Sequence, residues 1–264
     1  MTDENSRQKV LQDTMALTNE STVTRRASLL GAGFLAGAVA LGGGGAARAQ
    51  TRSVKTPNPD VDLFAFVQEQ IDSTAIGQLV LRERRARDMQ DWAGLAASYT
   101  ANSTVDMSWF KGTGAQFAEA SSKMAAGGLL TFHEPGPTFT QIEGNRALGD
   151  TAMTLHVVRE IGGVDVDITG YIRALTRHER QSDGGWLMAG FRSYYVHDLI
   201  LPVNPSRVPE IDPAALKDFR PSYRYLSWVL SISGHPISNE LPGIDRPETV
   251  KALIATEQSW LKEQ

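Results

Sequence analysis

The sequence predicts an α+β fold: N-terminal helices packed against a cone-shaped, curved antiparallel sheet, with a C-terminal helical extension. Three observations carry this. Ile76, Leu79 and Val80 recur at helical spacing in a segment that ends before Trp92. From about residue 130 the pattern changes to long strand-like runs. These are broken by the turn signals Asn145 to Asp150, Gly162-Gly163 and Ser182-Asp183-Gly184-Gly185. Beyond Pro202 the chain is first proline-rich and extended, then helical again. Helices followed by a strand meander is the α+β layout, and a strongly curved sheet wrapped on helices leaves a conical pocket.

The chain has 264 residues, enough for one or two domains, and a formal net charge of -4. That balance shows no basic footprint for nucleic acid or an anionic membrane. There is no cysteine, which excludes disulfides, thiolate metal sites and a cysteine nucleophile. Residues 1 to about 24 are polar and aperiodic. Arg25-Arg26, a Gly/Ala/Leu-rich run and Ala47-Arg48-Ala49 then form the pattern of a twin-arginine export signal over residues 1–49. The apolar run is short and glycine-rich, so no stable membrane span is expected; an uncleaved anchor is the alternative. This reading places the mature protein in a bacterial periplasm. Residues 50–63 read as a Pro/Asn/Asp linker, 64–201 as the main domain and 202–264 as the extension.

The elements follow in order. Helices are expected at roughly 64 to 87 and 91 to 99, with Asp91 as N-cap of the second. Thr104 to Phe110 reads as a first strand, and Gln116 to Ala126 as a helix ended by Gly127-Gly128. Strands are then expected at 137–143, 152–161, 164–177 and 186–201. The extension shows helices at 223–232 and 247–262, the latter opening with proline. With about sixty residues it is too small to hold a core of its own. It is expected to pack over the pocket mouth or at a subunit contact.

Asp88 lies one turn before the Asp91 cap. It is either a solvated surface charge or a half-buried general acid/base needing a partner and a dry cavity. Together with Arg87-Asp88-Met89-Gln90-Asp91-Trp92, four further motifs carry a resemblance. They are Thr104-Val105-Asp106, Thr131-Phe132-His133, Gly149-Asp150-Thr151-Ala152 and Asp183-Gly184-Gly185-Trp186. In order and spacing the region from about 70 to 200 resembles the SnoaL-like branch of the nuclear transport factor 2-like superfamily. Within it the chain looks most like scytalone dehydratase and its bacterial relatives. The resemblance implies a deep pocket in a cone-shaped α+β barrel, assembly as a homo-oligomer (dimer or trimer), and acid/base chemistry on a hydroxylated ring or ketone without metal or cofactor. It also implies that Asp88 and His133 form a catalytic pair. Two positions depart from the pattern. Met107 stands where a tyrosine is common, and the second histidine of the dehydratase falls in Gly170 to Arg173, where Tyr171 or Arg173 would replace it.

Paired with Asp88, His133 would be held in one tautomer with its pKa raised. Tyr171 and Arg173 alternate on one strand face, and Arg192 and Tyr194 repeat that pattern on the next strand. Pointing inward, they would serve a developing oxyanion; pointing outward, they would meet solvent or another subunit. Trp109, Phe110 and Phe132 are candidates for an aromatic substrate wall, or plain core. His156 reads as a sheet-face group. His197 with Asp198 lacks a third ligand, so no metal is expected. The functions in play are a cofactor-independent lyase that eliminates water or formaldehyde from a hydroxylated, possibly lignin-derived, aromatic compound, an isomerase or cyclase with Asp88 as base, and a small-molecule-binding module without chemistry.

Overall fold

The computed structural model describes residues 62–263. The expected export signal at 1–49, and all but the end of the 50–63 linker, lie outside the described residues.

Helix α1 (Leu63–Asp88) is capped by Asp62, whose carboxylate accepts the amides of Phe64 and Ala65. Its buried stripe is Ile76, Leu79, Val80, Glu83, Arg84 and Arg87, so the helical period runs on through residues that are charged. The helix ends where Gln90 takes a left-handed φ of 58°, which lets the Asp91 amide reach back to Ala86 at 2.8 Å. Helix α2 (Trp92–Ala97) starts at once, with Asp91 accepting from Gly94. It ends two residues earlier than the sequence predicts, because Tyr99 already belongs to strand β1 (Tyr99–Met107). Strand β2 (Phe110–Gly112) pairs antiparallel with β1, and helix α3 (Gly114–Ala126) opens with a capping box of Thr113 and Gln116.

The sheet continues through β3 (Leu130–Glu143), β4 (Arg146–Ile161), β5 (Val164–Arg180) and β6 (Trp186–Pro202). The spatial order is β2-β1-β6-β5-β4-β3. Two features differ from expectation. The β1–β6 pairing is parallel while every other pair is antiparallel, and the curved sheet is open rather than closed into a barrel. Strand β3 also starts seven residues earlier than the predicted 137, at Leu130, so His133 sits within a strand.

After a proline-rich crossing come α4 (Arg224–Ile232) and α5 (Pro247–Lys262). Leu226, Val229 and Leu230 of α4 join one core with Ile76, Leu95, Phe117, Ile172 and Phe191. Burying each such side chain contributes roughly 1.5–3 kcal/mol, so the extension is fastened to the concave face of the sheet. Helix α5 covers the other face, where Glu257 holds Arg177 at 2.6 Å. Among the described residues no helix is long and apolar enough to cross a membrane.

Candidate functional site

The site is built where the C-terminus of α1 meets β3. Asp88 is the last residue of α1, at the negative end of the helix dipole, where a carboxylate is disfavoured. Two bonds from β3 offset this: the His133 amide donates to Oδ2 at 2.9 Å, and His133 Nδ1 lies 2.7 Å from Oδ1. A carboxylate at Nδ1 selects the Nδ1–H tautomer and leaves the Nε2 lone pair free. The His133 side chain is only 6% exposed. Burial lowers its pKa below the ordinary histidine value; Asp88 works in the opposite direction, and the nearby cations Arg84 and Arg87 lower it further. The sequence-based expectation of a raised pKa is therefore corrected. Desolvation and two cations outweigh one carboxylate, and His133 is a neutral base at physiological pH.

The cations come from α1. Arg84 is fully buried, in a fork with its neighbour Glu83. Its guanidinium lies 4.6 Å from the Phe191 ring centroid. Burial disfavours its charge, but Glu83 more than compensates and its pKa ends above the usual value. The Tyr99 hydroxyl donates to Glu83 at 2.6 Å, and burial followed by the carboxylate pushes its pKa well up. Arg87, one turn on, also lines the cavity. The phenol of Tyr195 faces it too, its pKa pushed by burial up to about 12 against the opposing bond to Ser108, so it remains a hydrogen donor at neutral pH. Most of the remaining wall is apolar, with Trp109, Phe117, Ile172 and the α4 residues Leu226 and Leu230, and Ser108 and Thr131 complete it. The free volume is about 30 Å³, room for a water molecule or two. A ring-sized ligand therefore needs Trp109 or α4 to give way.

The structure brings together only some of the residues proposed from sequence. His133 and Trp109 line the cavity, and Asp88 is bonded to His133 from behind that lining. Phe110 packs behind it, 5.7 Å from Trp109 and 5.4 Å from Phe117 by ring centroids. Five others lie on the outer face of the sheet. Tyr171 is 43% exposed and stacks on His197. Arg173 pairs with Asp150 at 2.8 Å. Arg192 bridges Asp106 and Glu257. Tyr194 is the register partner of Arg173, and Phe132 stacks on His156 at 4.4 Å. The reason is the two-residue alternation of a strand. His133, Ile172 and Tyr195 face the cavity, so their neighbours Phe132, Tyr171, Arg173 and Tyr194 face away. Ile172 thus occupies the inward position where Tyr171 or Arg173 was expected to replace a histidine, and Tyr195, not Tyr194, supplies the phenol.

Glu83, Arg84, Arg87, Tyr99 and Tyr195 were missed. The signal for the first three was present: Ile76, Leu79, Val80, Glu83, Arg84 and Arg87 lie on one helical stripe. Asp198 was considered only as a metal ligand. It is in fact a buried cap on α4, accepting the Leu226 amide at 2.8 Å, and burial raises its pKa to about 6 against those backbone bonds. Among the described residues no group of three or more metal-ligating side chains stands together.

Residues 68–192 match the family model described as SnoaL-like domain. Pea pathogenicity protein 2 of Fusarium vanettenii is 28% identical over 200 residues, covering 72% of this chain and 85% of that protein. Two solved structures are similar at the level of fold. One is an NTF2-like protein with a cystatin-like fold from Novosphingobium aromaticivorans. It is 20% identical, with a TM-score of 0.41, covering 50% of this chain and 86% of that one. The other is hexachlorocyclohexane dehydrochlorinase LinA-type3 from Novosphingobium barchaimii. It is 12% identical, with a TM-score of 0.45, covering 56% and 99%. The family match includes α1 from residue 68 on, β3, Asp88 and His133 but stops before Tyr195 and α4. The chain thus carries a SnoaL-like domain over residues 68–192, and that domain holds the Asp88–His133 pair.

Proposed function

We propose that the protein is a cofactor-independent lyase that eliminates a small group from a hydroxylated aromatic compound. The observation that carries this reading is the 2.7 Å contact between Asp88 and His133 Nδ1, which places a carboxylate-held imidazole at the wall of a small cavity that Arg84, Arg87 and Tyr195 share with apolar side chains. His133 Nε2 takes the proton from the carbon next to the one that bears the leaving oxygen. The C–H electrons form the new double bond, the C–O bond breaks, and the leaving oxygen collects a proton and departs as water. Loss of formaldehyde from a hydroxymethyl group is the other outcome and runs differently. His133 Nε2 takes the hydroxyl proton, the O–H electrons form the formaldehyde C=O, and the C–C bond breaks. Its electrons form the new double bond as the C–O bond on the adjacent carbon breaks and that oxygen departs as water. Asp88 keeps Nδ1 protonated and stabilises the imidazolium that forms. Tyr195, protonated at neutral pH, is the available donor toward the departing oxygen. Assembly as a homo-oligomer and export by the twin-arginine route belong to the same reading; light scattering and cell fractionation test them.

The test is to incubate the protein, without added cofactor, with hydroxylated aromatic monomers and lignin-type dimers while following product masses. Loss of water or formaldehyde, abolished in His133→Gln, is the expected outcome. Products of unchanged mass would replace the lyase with an isomerase, and ligands recovered unaltered would leave a binding module.

A further inference from the structure

The described residues include three buried arginines, Arg84, Arg87 and Arg220. Two of them are paired. Arg84 grips Glu83, and Arg220 holds Asp245 at 2.7 Å. Arg87 has no such partner. Among the described residues its guanidinium is bonded only to the sulfur of Met124, at 3.8 Å, and lies 5.9 Å from the Trp92 ring centroid. A thioether is a weak acceptor, and a guanidinium presents five donors in a planar fork. The residue is 6% exposed and faces the same cavity as His133.

Each charged group around Arg87 is already engaged. The Asp88 carboxylate serves the amide and ring of His133. Glu83 is taken by Arg84 and Tyr99. Arg84 and His133 add no negative charge. Burial, followed by repulsion from Arg84, lowers the Arg87 pKa to about 10, so the side chain stays charged at neutral pH. A guanidinium so largely buried, with a thioether as its one hydrogen-bond partner among the described residues, is weakly satisfied in the free protein, and an anionic ligand group in the cavity resolves it.

We propose that Arg87 binds a carboxylate on the ligand, so that the pocket takes an aromatic compound with one anionic end rather than a neutral one. The proposal deepens the lyase reading by naming the substrate class, and it rests on that reading only in sharing the pocket.

Benzoate and benzamide are matched probes. They share shape and the cost of moving Trp109 or α4, and differ in the charge that Arg87 meets. Calorimetric titration of the full chain at pH 7 is expected to show benzoate binding at least about ten-fold more tightly. The preference should vanish in Arg87→Gln, persist in part in Arg87→Lys, and survive in His133→Gln. Equal affinities, no binding of either probe, or a preference retained in Arg87→Gln would overturn the proposal. If Arg87→Gln does not fold, as judged by circular dichroism, the wild-type ratio and Arg87→Lys decide. Turnover of neutral substrates abolished by His133→Gln, without a benzoate preference, would leave the lyase standing and remove this subsite. A benzoate preference without any turnover would do the reverse.

Discussion

The two faces of the sheet use the same kinds of side chain for opposite ends. On the outer face Arg173 and Asp150, each about one-third exposed, pair in contact with water. On the inner face Arg84, Arg87 and His133 are packed among Phe117, Leu226 and Ile172, with Asp88 bonded to His133. Water screens the outer charges and makes them individually cheap. The inner charges have little water to fall back on, so each must find a protein partner or a ligand. The comparison teaches that chemistry follows desolvation rather than residue type. Turnover and stability set inner variants against outer ones, and further variants test one face at a time.

The largest contrast concerns turnover. Asp88→Asn is expected to lower kcat by about 10²- to 10⁴-fold, since it removes both the orientation of His133 and the stabilisation of its cation. Asp150→Asn on the outer face should leave kcat unchanged. The pH profile sharpens the point. His133 acts as a base only when neutral, and burial with Arg84 and Arg87 lowers its pKa. Activity should hold as pH falls through the ordinary histidine range and be lost only below it. An acid limb above 6.5 would contradict the depressed value.

Stability should separate the faces next. Glu83→Gln leaves Arg84 charged and buried without its counterion, a loss of about 3–5 kcal/mol in urea unfolding. Breaking the exposed pair with Arg173→Gln should cost within about 1 kcal/mol. Similar losses for the two would mean that water reaches Arg84.

A smaller effect is tied to pH. Burial raises the Asp198 pKa from 3.8 to about 6, so the folded state binds this proton more tightly than the unfolded chain. A raised carboxyl pKa costs stability as pH climbs: the contribution is full below about 4 and lost by about 6. Relative to wild type, Asp198→Asn should gain stability over that window by on the order of 2–3 kcal/mol, the free energy of such a shift. The variant keeps an oxygen that can accept the Leu226 amide. Parallel stability curves for the two proteins between pH 4 and 7 would refute the assignment.

Much of this was legible in the sequence. Gly162-Gly163 and the Asp183-Gly184-Gly185 turn marked the hairpins, and the proline at 247 marked the start of α5. Asp88 and His133 were found through motif order, and the structure brings them into contact. What was not legible came from two physical sources. Strand alternation names two faces without saying which is buried, and the choice between Tyr171 and Ile172, or between Tyr194 and Tyr195, depends on where α1 and α4 pack. The run Arg82-Glu83-Arg84-Arg85 carries no mark of burial in the sequence, because charge is usually solvated. Only the tertiary pairing of Glu83 with Arg84 and Tyr99 makes its burial tolerable.

The smallest expected effect tests the outer face itself. Tyr171 and Arg173 were the sequence-based candidates for oxyanion support. Tyr171→Phe removes a hydroxyl from a 43% exposed ring that stacks on His197, and it keeps the stack. Arg173→Gln gives up a pair whose guanidinium points away from Ile172 and the cavity. Neither should change kcat/KM by more than about two-fold, because neither group reaches the reacting atoms. A loss in Arg173→Gln as large as that in Asp88→Asn would bring the outer face into the chemistry. That outcome requires the face to be desolvated by something beyond this chain, and a second copy packed over β5 and β6 is the arrangement that would do it. Measuring both variants across protein concentration separates the cases. A concentration-independent null places the chemistry inside the cone, and a deficit that appears only in the assembled protein places part of it between subunits.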